Sequence, residues 1–296
     1  MDAAQTLDPE RVLEAQTRIG PLWVERGAQV VTRSLVEEGY WDPNITMLLK
    51  KVLGPGMTFV DAGANIGWFT VIASRVVGPE GRVFAVEPDP FNLSVLEANL
   101  SRHDCSNVTV LPFAAWSERT ELDFARPPDE GAVGRVGQKG GGDLVRAARL
   151  DELIDGRVDY VKIDCELSDH VVVQGAEGLF TENPSMLVSV EFHPWHESHL
   201  GDSPAQVLDV YRRLELIPYE IVPHGLRETD WERIASPRLQ KDHIAFDFAM
   251  SRCPPATLEG RGLMKKGWLE RAGDLLDHVP ASIRPPIRHR DRRART

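Results

Sequence analysis

The chain has 296 residues, of which 42% are hydrophobic and 27% are charged, as expected of a globular protein with its own core. Its formal net charge of −11 argues against a large surface that follows nucleic-acid phosphates. No stretch approaches the roughly 20 apolar residues of a membrane span, and the acidic N-terminus "MDAAQTLDPERVLEAQ" is unlike a signal peptide.

The N-terminal segment, residues 1–53, precedes the main domain. Asp8 and Pro9 are typical of a helix start, which predicts a helix over residues 8–18. The stretch "LWVERGAQVVTRSLV" predicts a hairpin or a pair of short strands, and residues 44–53 predict a helix that ends at "GPG". We therefore expect N-terminal helices and a short hairpin, which could wall an acceptor site.

Strands then alternate regularly with helices. The predicted strands cover residues 57–63, 81–88, 107–116 in two runs, 158–166, 186–194 and 243–250. The predicted helices cover residues 67–77, 89–103, 169–180 and 203–215, with Asp89 and Ser203 as N-caps. This alternation predicts an α/β protein with a doubly wound, mostly parallel sheet and helices on both faces.

Two segments are predicted to lack regular structure. Residues 129–143, "DEGAVGRVGQKGGGD", predict a glycine-rich loop. The main domain is expected to span residues 54–255, followed over residues 256–296 by a helix and a basic, disordered tail. The last 13 residues of that tail carry six arginines and one aspartate, and contact with an anionic partner is the alternative. Cys105, Cys165 and Cys253 form no CxxC pair, so we expect reduced thiols and a cytoplasmic protein.

A glycine-containing turn lies between the first strand of the main domain and the helix after it. A dinucleotide-binding turn has the pattern G-x-G-x-x-G, but here only Gly63 and Gly67 are present, four residues apart. A phosphate-binding P-loop would have a lysine where Trp68 stands. Glu87 ends the next strand, and a carboxylate there can accept two hydrogen bonds from a vicinal diol. A nucleoside site is favoured, while a dehydrogenase and a turn without a ligand are the alternatives.

The turn, "DAGANIGWFT", resembles the first motif of S-adenosylmethionine-dependent methyltransferases with the Rossmann-like fold. Together with "VGPEGRVFAVEPDPFNLSVLEANL" and "VDYVKIDCELSDHVVVQGA", it resembles the FkbM family of methyltransferases from about residue 54 to about residue 194. The resemblance implies a seven-stranded sheet, S-adenosylmethionine as cofactor and a small-molecule acceptor, with Glu87 holding the ribose hydroxyls. The other cofactor-binding residues that we assign from it are Asp61, Gly63, Asn65, Gly67, Pro88, Ala115 and Asp164.

The chain departs from the family pattern after "KID". The family usually continues Val-Glu-Gly-Ala-Glu, whereas this chain continues "CELSDH", with Leu167 in place of a flexible glycine and Asp169 in place of a glutamate. This difference affects the expected contacts with the acceptor and leaves the cofactor assignment in place.

Catalysis on an alcohol needs a base or a metal ion, because a hydroxyl is a poor nucleophile at neutral pH. Asp164, Glu166, His170 and His193 are the candidates. Lys162 and Asp164 lie two apart on one strand and should face the same side. Asp164 is the first choice, and the alternative is that it caps the following helix. Histidine is the natural general base near neutral pH, so His170 is a further candidate for the base.

The stretch "EFHPWHESH" raises the question of a metal ion. Asp164, Glu191 and His193 could bind a divalent cation, but Pro194 prevents a regular helix from aligning the histidines. We therefore expect no metal site, and favour His193 as a residue that shapes the acceptor pocket.

Aromatic residues could form the walls of the acceptor pocket. Tyr40, Trp41, Trp68 and Trp195 are placed near it, and Trp116 could line the adenine side, with ordinary core packing as the alternative for each. We expect methylation of a hydroxyl on a sugar or other natural product. The alternatives are a carbamoyl or amine nitrogen, or a non-catalytic cofactor-binding protein. The chain lacks the Pro-Pro-aromatic run of base-modifying enzymes, so no nucleic-acid partner is expected, and a homo-oligomer remains open.

Overall fold

The computed structural model describes residues 7–27, 31–126, 135–136, 143–193, 200–223, 225–235 and 246–264. The chain divides into one compact unit, Met1–Lys265, and a C-terminal unit, Lys266–Thr296, which lies outside the described residues. The predicted basic tail and most of the predicted glycine-rich loop therefore also lie outside them.

From β3 to β5 and from β10 to α8, strands alternate with helices as the sequence predicts. The strands are β1 (Val12–Thr17), β2 (Gly20–Glu25), β3 (Thr58–Ala62), β4 (Arg82–Val86), β5 (Val108–Leu111), β6 (Ala114–Ala115), β7 (Thr120–Ala125), β8 (Arg135–Val136), β9 (Asp143–Ala148), β10 (Tyr160–Ile163), β11 (Leu187–Phe192), β12 (Ile217–Val222), β13 (Gly225–Glu228) and β14 (Phe246–Ser251). The helices are α1 (Val31–Glu37), α2 (Pro43–Val52), α3 (Trp68–Val77), α4 (Pro90–Arg102), α5 (Leu150–Leu153), α6 (Asp169–Gln174), α7 (Glu177–Glu182), α8 (Pro204–Arg213), α9 (Trp231–Ile234) and α10 (Pro255–Gly260).

The central sheet has the strand order β13-β12-β14-β11-β10-β3-β4-β5. The five strands from β11 to β5 pair in parallel, while β14 is antiparallel to both of its neighbours. The mostly parallel, doubly wound prediction is thus confirmed. The sheet has eight strands where seven were expected, because β13 folds back on β12 as a hairpin and adds one edge strand.

Each face of the central sheet has its own core. Phe59 of β3 and Tyr160 of β10 belong to one buried cluster, which also contains side chains of α2 and α3. The next residues along the same strands, Val60 and Val161, belong to a second cluster with side chains of α6, α7 and α8. Because successive side chains of a strand point to opposite faces, the two clusters show that helices cover both faces of the sheet.

A smaller sheet of four strands, in the order β6-β9-β7-β8, follows β5 in the chain. The sequence analysis predicted only the run that contains β6. The sequence analysis assigned no strand to residues 120–125 or 143–148, where β7 and β9 lie; both strands are short and only partly buried.

The N-terminal segment differs from its prediction. A β1–β2 hairpin replaces the helix expected over residues 8–18, and helix α1 follows where a second strand was allowed. The Asp8 side chain accepts from the Glu10 N–H at 2.9 Å, and its carbonyl accepts from the N–H groups of Arg11 and Val12. Asp8 and Pro9 thus form a turn that leads into β1, which is a role these residue types also favour.

Candidate active site

A cleft of about 310 Å³ opens where the parallel strands end. Strands β4, β3, β10 and β11 are consecutive neighbours in the sheet, so the residues that follow them meet at one edge. Gly63, Glu87, Asp164 and His193, which directly follow these four strands, all line the cleft. The structure therefore brings together residues that the sequence analysis selected from four separate segments.

The glycine turn after β3 requires its two glycines for steric reasons. Gly63 has φ 81°, and a Cβ atom there would lie 2.0 Å from the Asp164 carbonyl oxygen. Gly67 has φ 92°, and a Cβ atom there would lie 2.6 Å from Cδ1 of Leu96 in helix α4. The glycine turn can thus pack against helix α4 and against the loop that follows β10, and helix α3 begins directly after the turn.

Glu87 is held in one orientation by its neighbours. Its Oε2 accepts from the Asn65 N–H at 2.8 Å, and its Oε1 accepts from the Asp89 N–H at 3.0 Å and from Asn92 Nδ2 at 3.4 Å. The side chain is buried, and burial raises its pKa to about 7 although these hydrogen bonds favour the charged form. A buried carboxylate at the edge of a cleft suits a hydrogen-bonding ligand such as a diol.

Lys162 links the Asp164 carboxylate, which lines the cleft, to the Asp61 carboxylate beneath it. Its Nζ donates to Asp164 Oδ2 at 3.1 Å and lies 3.8 Å from Asp61 Oδ1, which confirms that Lys162 and Asp164 share a face. Burial opposes the charge of Lys162, but these carboxylates raise its pKa above the ordinary value. Asp61 is fully buried beneath the cleft. Its Oδ2 accepts from Thr70 at 2.6 Å, so Asp61 holds the side chains of Thr70 and Lys162 in position.

The loop between β10 and α6 carries Asp164 and Glu166 into the cleft. Glu166 and Leu167 both have left-handed backbone conformations, with φ 48° and 68°. Leu167, which replaces the family's glycine, thus retains the conformation that favours glycine. Helix α6 is preceded by Ser168, so Asp164 does not cap it.

Asp169 fixes the far end of this loop. Its two carboxylate oxygens accept from the N–H groups of Cys165 at 2.8 Å and Glu191 at 3.0 Å, which joins the β10 loop to strand β11. The side chain is buried, and this burial raises its pKa to about 7. Asp169 does not line the cleft, so the substitution of aspartate for the family's glutamate concerns the support of the loop.

Glu191 and His193 form a pair that lines the cleft. His193 Nε2 lies 2.9 Å from Glu191 Oε2. Burial disfavours the charged imidazole, but this contact raises the pKa of His193 above its ordinary value. Within the described residues, no group of three or more His, Cys, Asp or Glu side chains could hold a metal ion. His196, His199 and Trp195 lie outside those residues.

Two expected site residues face a different cavity. His170 and Trp116 both line a second pocket beside helices α6 and α8, where His170 Nε2 lies 3.1 Å from Asp202 Oδ2. Neither lines the cleft, so the structure does not bring them together with the other candidate residues. Adjacent residues of a helix point about 100° apart, and Asp169, directly before His170, is the residue that faces the β10 loop.

The walls of the cleft come from several segments. Trp41 and Trp68 line it as expected, while Tyr40 packs edge-on against Trp68 with ring centroids 5.4 Å apart. Val31 and Phe124 also line it, and the sequence analysis selected neither of them. Phe124 lies on β7, whose short alternating pattern gave no sign of a site.

Asp42 and Asp247 are further acidic groups near the cleft that the sequence analysis did not select. Asp42 caps helix α2, and burial raises its pKa to about 6. Asp247 pairs in register with Glu191, and burial raises its pKa well above the ordinary range. A cap signal precedes α2 in the sequence, but only the folded sheet brings these two groups near the cleft.

The cleft fits the cofactor that the resemblance implies. Asn65 Oδ1 is buried and, within the described residues, has no hydrogen-bond partner, so the turn offers an acceptor beside the Glu87 carboxylate. Pro88, Ala115 and Phe124 add apolar surface next to Glu87, which suits a flat aromatic base. Of the assigned cofactor residues, Asp61 and Gly67 are buried and do not line the cleft.

Comparison with known proteins agrees with this assignment. The family model described as the Methyltransferase FkbM domain matches residues 61–215. An arsenite methyltransferase of Halobacterium salinarum is 34% identical over 56 residues, and the chain spans only 14% to 35% of the curated relatives that it matches.

Solved structures of methyltransferases are also similar to the chain, at low identity. An FkbM methyltransferase from Methylobacillus flagellatus has 21% identity and a TM-score of 0.40, with 56% of this chain and 40% of that chain covered. A putative rRNA methylase from Clostridium thermocellum has 14% identity and a TM-score of 0.45, with 70% and 94% covered. Since the family model spans just over half of the 296 residues, the chain belongs to the FkbM family of S-adenosylmethionine-dependent methyltransferases.

Proposed function

We propose that the chain transfers a methyl group from S-adenosylmethionine to a hydroxyl of a small molecule, such as a sugar or another natural product. The observation that carries this proposal is the position of Asp164. It follows β10, which lies between β11 and β4 in the sheet order, so along the cleft it lies between His193, after β11, and Glu87, after β4. Bound S-adenosylmethionine would supply an electrophilic methyl carbon. The residues of the chain would bind the cofactor, hold the acceptor and remove its proton.

The Glu87 end of the cleft would bind the cofactor. The Glu87 carboxylate would accept from the ribose hydroxyls, and the glycine turn would allow the backbone at Gly63 to approach the ligand closely. Asn65 would accept a hydrogen bond through Oδ1, and Ala115 and Phe124 would contact the adenine ring. Asp164 would contact the cofactor and the acceptor, since it lies between the two ends.

The His193 end would bind the acceptor and remove its proton. An imidazole near neutral pH is a suitable base for a hydroxyl group, and Glu191 would orient the ring and stabilise its charged form. Asp164 and Glu166 would hold the acceptor's other polar groups through hydrogen bonds. Val31 and Trp41, from the N-terminal segment, would form the apolar wall, in line with the predicted role of residues 1–53.

An amine acceptor is a second candidate. Asp164, Glu166 and Glu191 all line the cleft and are acidic, which suits a protonated amine as well as a polyol. An amine must lose its proton before it attacks, so the same base would be needed.

The composition of the chain supports a small-molecule acceptor. With a net charge of −11, the chain is proposed to act on a small molecule and not on a nucleic acid. Within the described residues, no helix is long and apolar enough to cross a membrane. A cytoplasmic location and a metal-independent reaction belong to the same proposal.

The test begins with a calorimetric titration of the full-length protein with S-adenosylhomocysteine, with NAD as a parallel control. Micromolar binding of S-adenosylhomocysteine alone would support the cofactor assignment. A screen of hydroxyl-bearing and amine-bearing acceptors, with and without EDTA, would then follow release of S-adenosylhomocysteine. Binding without turnover on any acceptor would favour a non-catalytic protein, and binding of NAD alone would favour a dehydrogenase.

A further inference from the structure

Arg126, directly after strand β7, joins four groups from two other parts of the fold. Its Nη1 donates to both Glu25 oxygens of strand β2, at 2.9 and 3.1 Å. Its Nε donates to Asp89 Oδ2, and its Nη2 donates to Asn92 Oδ1 at 2.7 Å. The guanidinium also lies over the Phe91 ring, 5.2 Å from its centroid. This planar group therefore binds the hairpin and the start of helix α4 together.

The partners of Arg126 on helix α4 are the same residues that orient Glu87. The Asp89 N–H and Asn92 Nδ2 both donate to Glu87 Oε1. Asp89 also caps α4, since its Oδ1 accepts from the N–H groups of Phe91 and Asn92. Arg126 thus contacts the side chains of two of the three residues that donate to the Glu87 carboxylate; the third donor is the Asn65 N–H.

A second contact joins the hairpin to the glycine turn. Asn99 of α4 is fully buried, and its amide accepts from the Trp23 N–H at 2.7 Å and donates to the Trp23 carbonyl at 3.0 Å. It also donates to the Ile66 carbonyl at 2.8 Å, within the turn between Gly63 and Gly67. The Asn99 side chain therefore holds strand β2 and the glycine turn together.

We propose that Arg126 and Asn99 are positioning residues for cofactor binding. Through these two side chains, the β1–β2 hairpin holds two segments in place: the glycine turn, and the short connection between β4 and α4 that carries Glu87. This inference rests on the proposed function. Neither residue lines the cleft, so each would act through the residues that do. Loss of either one should weaken cofactor binding and leave the chemical step nearly unchanged.

The chain offers a matched control for each residue. Arg102 also joins α4 to the hairpin, through Glu14, and it stacks over Trp23, but it contacts neither Glu87 nor its partners. Asn107 also bridges carbonyl groups, those of Ser74 and Gly78, at the far end of α3. Arg102→Met and Asn107→Asp therefore remove contacts of the same kind that lie away from Glu87 and the glycine turn.

The experiment compares Arg126→Met with Arg102→Met and Asn99→Asp with Asn107→Asp in the full-length protein. Calorimetry gives the Kd of S-adenosylhomocysteine, steady-state kinetics give KM for the cofactor and kcat, and thermal unfolding gives Tm. We expect Arg126→Met and Asn99→Asp to raise Kd and KM about tenfold, with kcat within about threefold of wild type. Each control should leave Kd within about twofold while lowering Tm as much as its partner.

Three outcomes would overturn the inference. The first is a cofactor Kd that rises equally in a variant and its control, which would indicate general destabilisation. The second is a loss confined to kcat, which would place Arg126 or Asn99 in the chemical step. The third is a wild-type protein that binds no S-adenosylhomocysteine, which would refute the proposed function as well. If Arg126→Met does not fold, Arg126→Lys applies the same test, because lysine keeps the charge but not the planar fork, with about a threefold loss expected.

Discussion

Replacing Glu87 by glutamine should weaken cofactor binding and, at the same time, stabilise the cofactor-free protein above pH 7. Burial raises the pKa of this carboxyl from 4.5 to about 7. The unfolded chain loses the proton near pH 4.5, whereas the folded protein keeps it until about pH 7. The free energy of unfolding of the wild type therefore falls across this interval, by about 3 kcal/mol in total.

Glutamine carries no charge, so the variant avoids this cost. It also puts an amide nitrogen where one oxygen accepts from the N–H of Asn65 or Asp89, and losing one such hydrogen bond costs about 1 kcal/mol. Glu87→Gln should thus be about 2 kcal/mol more stable than wild type at pH 8 and about 1 kcal/mol less stable at pH 4. For binding, the loss of charge-assisted bonds to a diol should cost about 3 kcal/mol, roughly a hundredfold in Kd.

The assay is urea unfolding of the cofactor-free proteins at pH 4, 6 and 8, with calorimetric titration of S-adenosylhomocysteine at pH 6 and 8. Wild-type affinity should fall about tenfold per pH unit below 7, while the affinity of the variant should not show this fall. Asp169→Asn is the control, because the pKa of Asp169 is also about 7 but its side chain does not line the cleft. A stability difference that is constant with pH, or a variant that binds within about threefold of wild type, would refute the reasoning.

Four further substitutions test the site. Asp164→Asn should keep S-adenosylhomocysteine affinity within about threefold by calorimetry but lower kcat about tenfold or more, because the amide cannot keep the charge-assisted hydrogen bonds with which the carboxylate would hold the acceptor; an Asn variant with wild-type kcat would exclude this role. His170→Gln should keep kcat within about twofold, since His170 lines the second pocket, and a large loss of kcat would contradict that placement. Gly63→Ala should lower the free energy of unfolding by about 2 kcal/mol or more in urea titrations, because its Cβ would clash with a carbonyl oxygen. Leu167→Gly should be about 1 kcal/mol more stable than Leu167→Ala, because φ is 68° there; the opposite order would show no strain.

The main domain could be predicted because its signals are local and agree with one another. Runs of buried β-favouring residues mark β3, β4, β10 and β11, and the caps at Asp89 and Ser203 mark the starts of α4 and α8. Once the strands are parallel, their carboxyl ends must share an edge, so Glu87 and Asp164 could be placed in one cleft before the structure was known. The caps at both positions are confirmed.

The rest depended on contacts between distant parts of the chain. Asp8 and Pro9 suit a helix start and a turn equally, and the choice depends on whether residues 12–25 can pack as a hairpin against another part of the fold. They pack in this way because Asn99 and Arg126, which are 76 and 101 residues away in the sequence, form hydrogen bonds with the hairpin. The start of α6 at Asp169 matches its prediction, but the face on which His170 lies depends on packing against α8, and His170 lines the second pocket.

The buried acidic groups around the cleft argue for a functional site independently of any resemblance. Burial raises the pKa of Asp42 to about 6 and that of Glu87 and Asp169 to about 7. Each of these shifts lowers the stability of the folded chain near neutral pH, because the unfolded chain binds fewer protons. Asp42 and Asp169 also accept from backbone N–H groups, which gives them a structural role, whereas Glu87 follows a parallel strand and lines the cleft. Groups that cost stability and gather at the carboxyl ends of parallel strands are those expected to bind and position ligands.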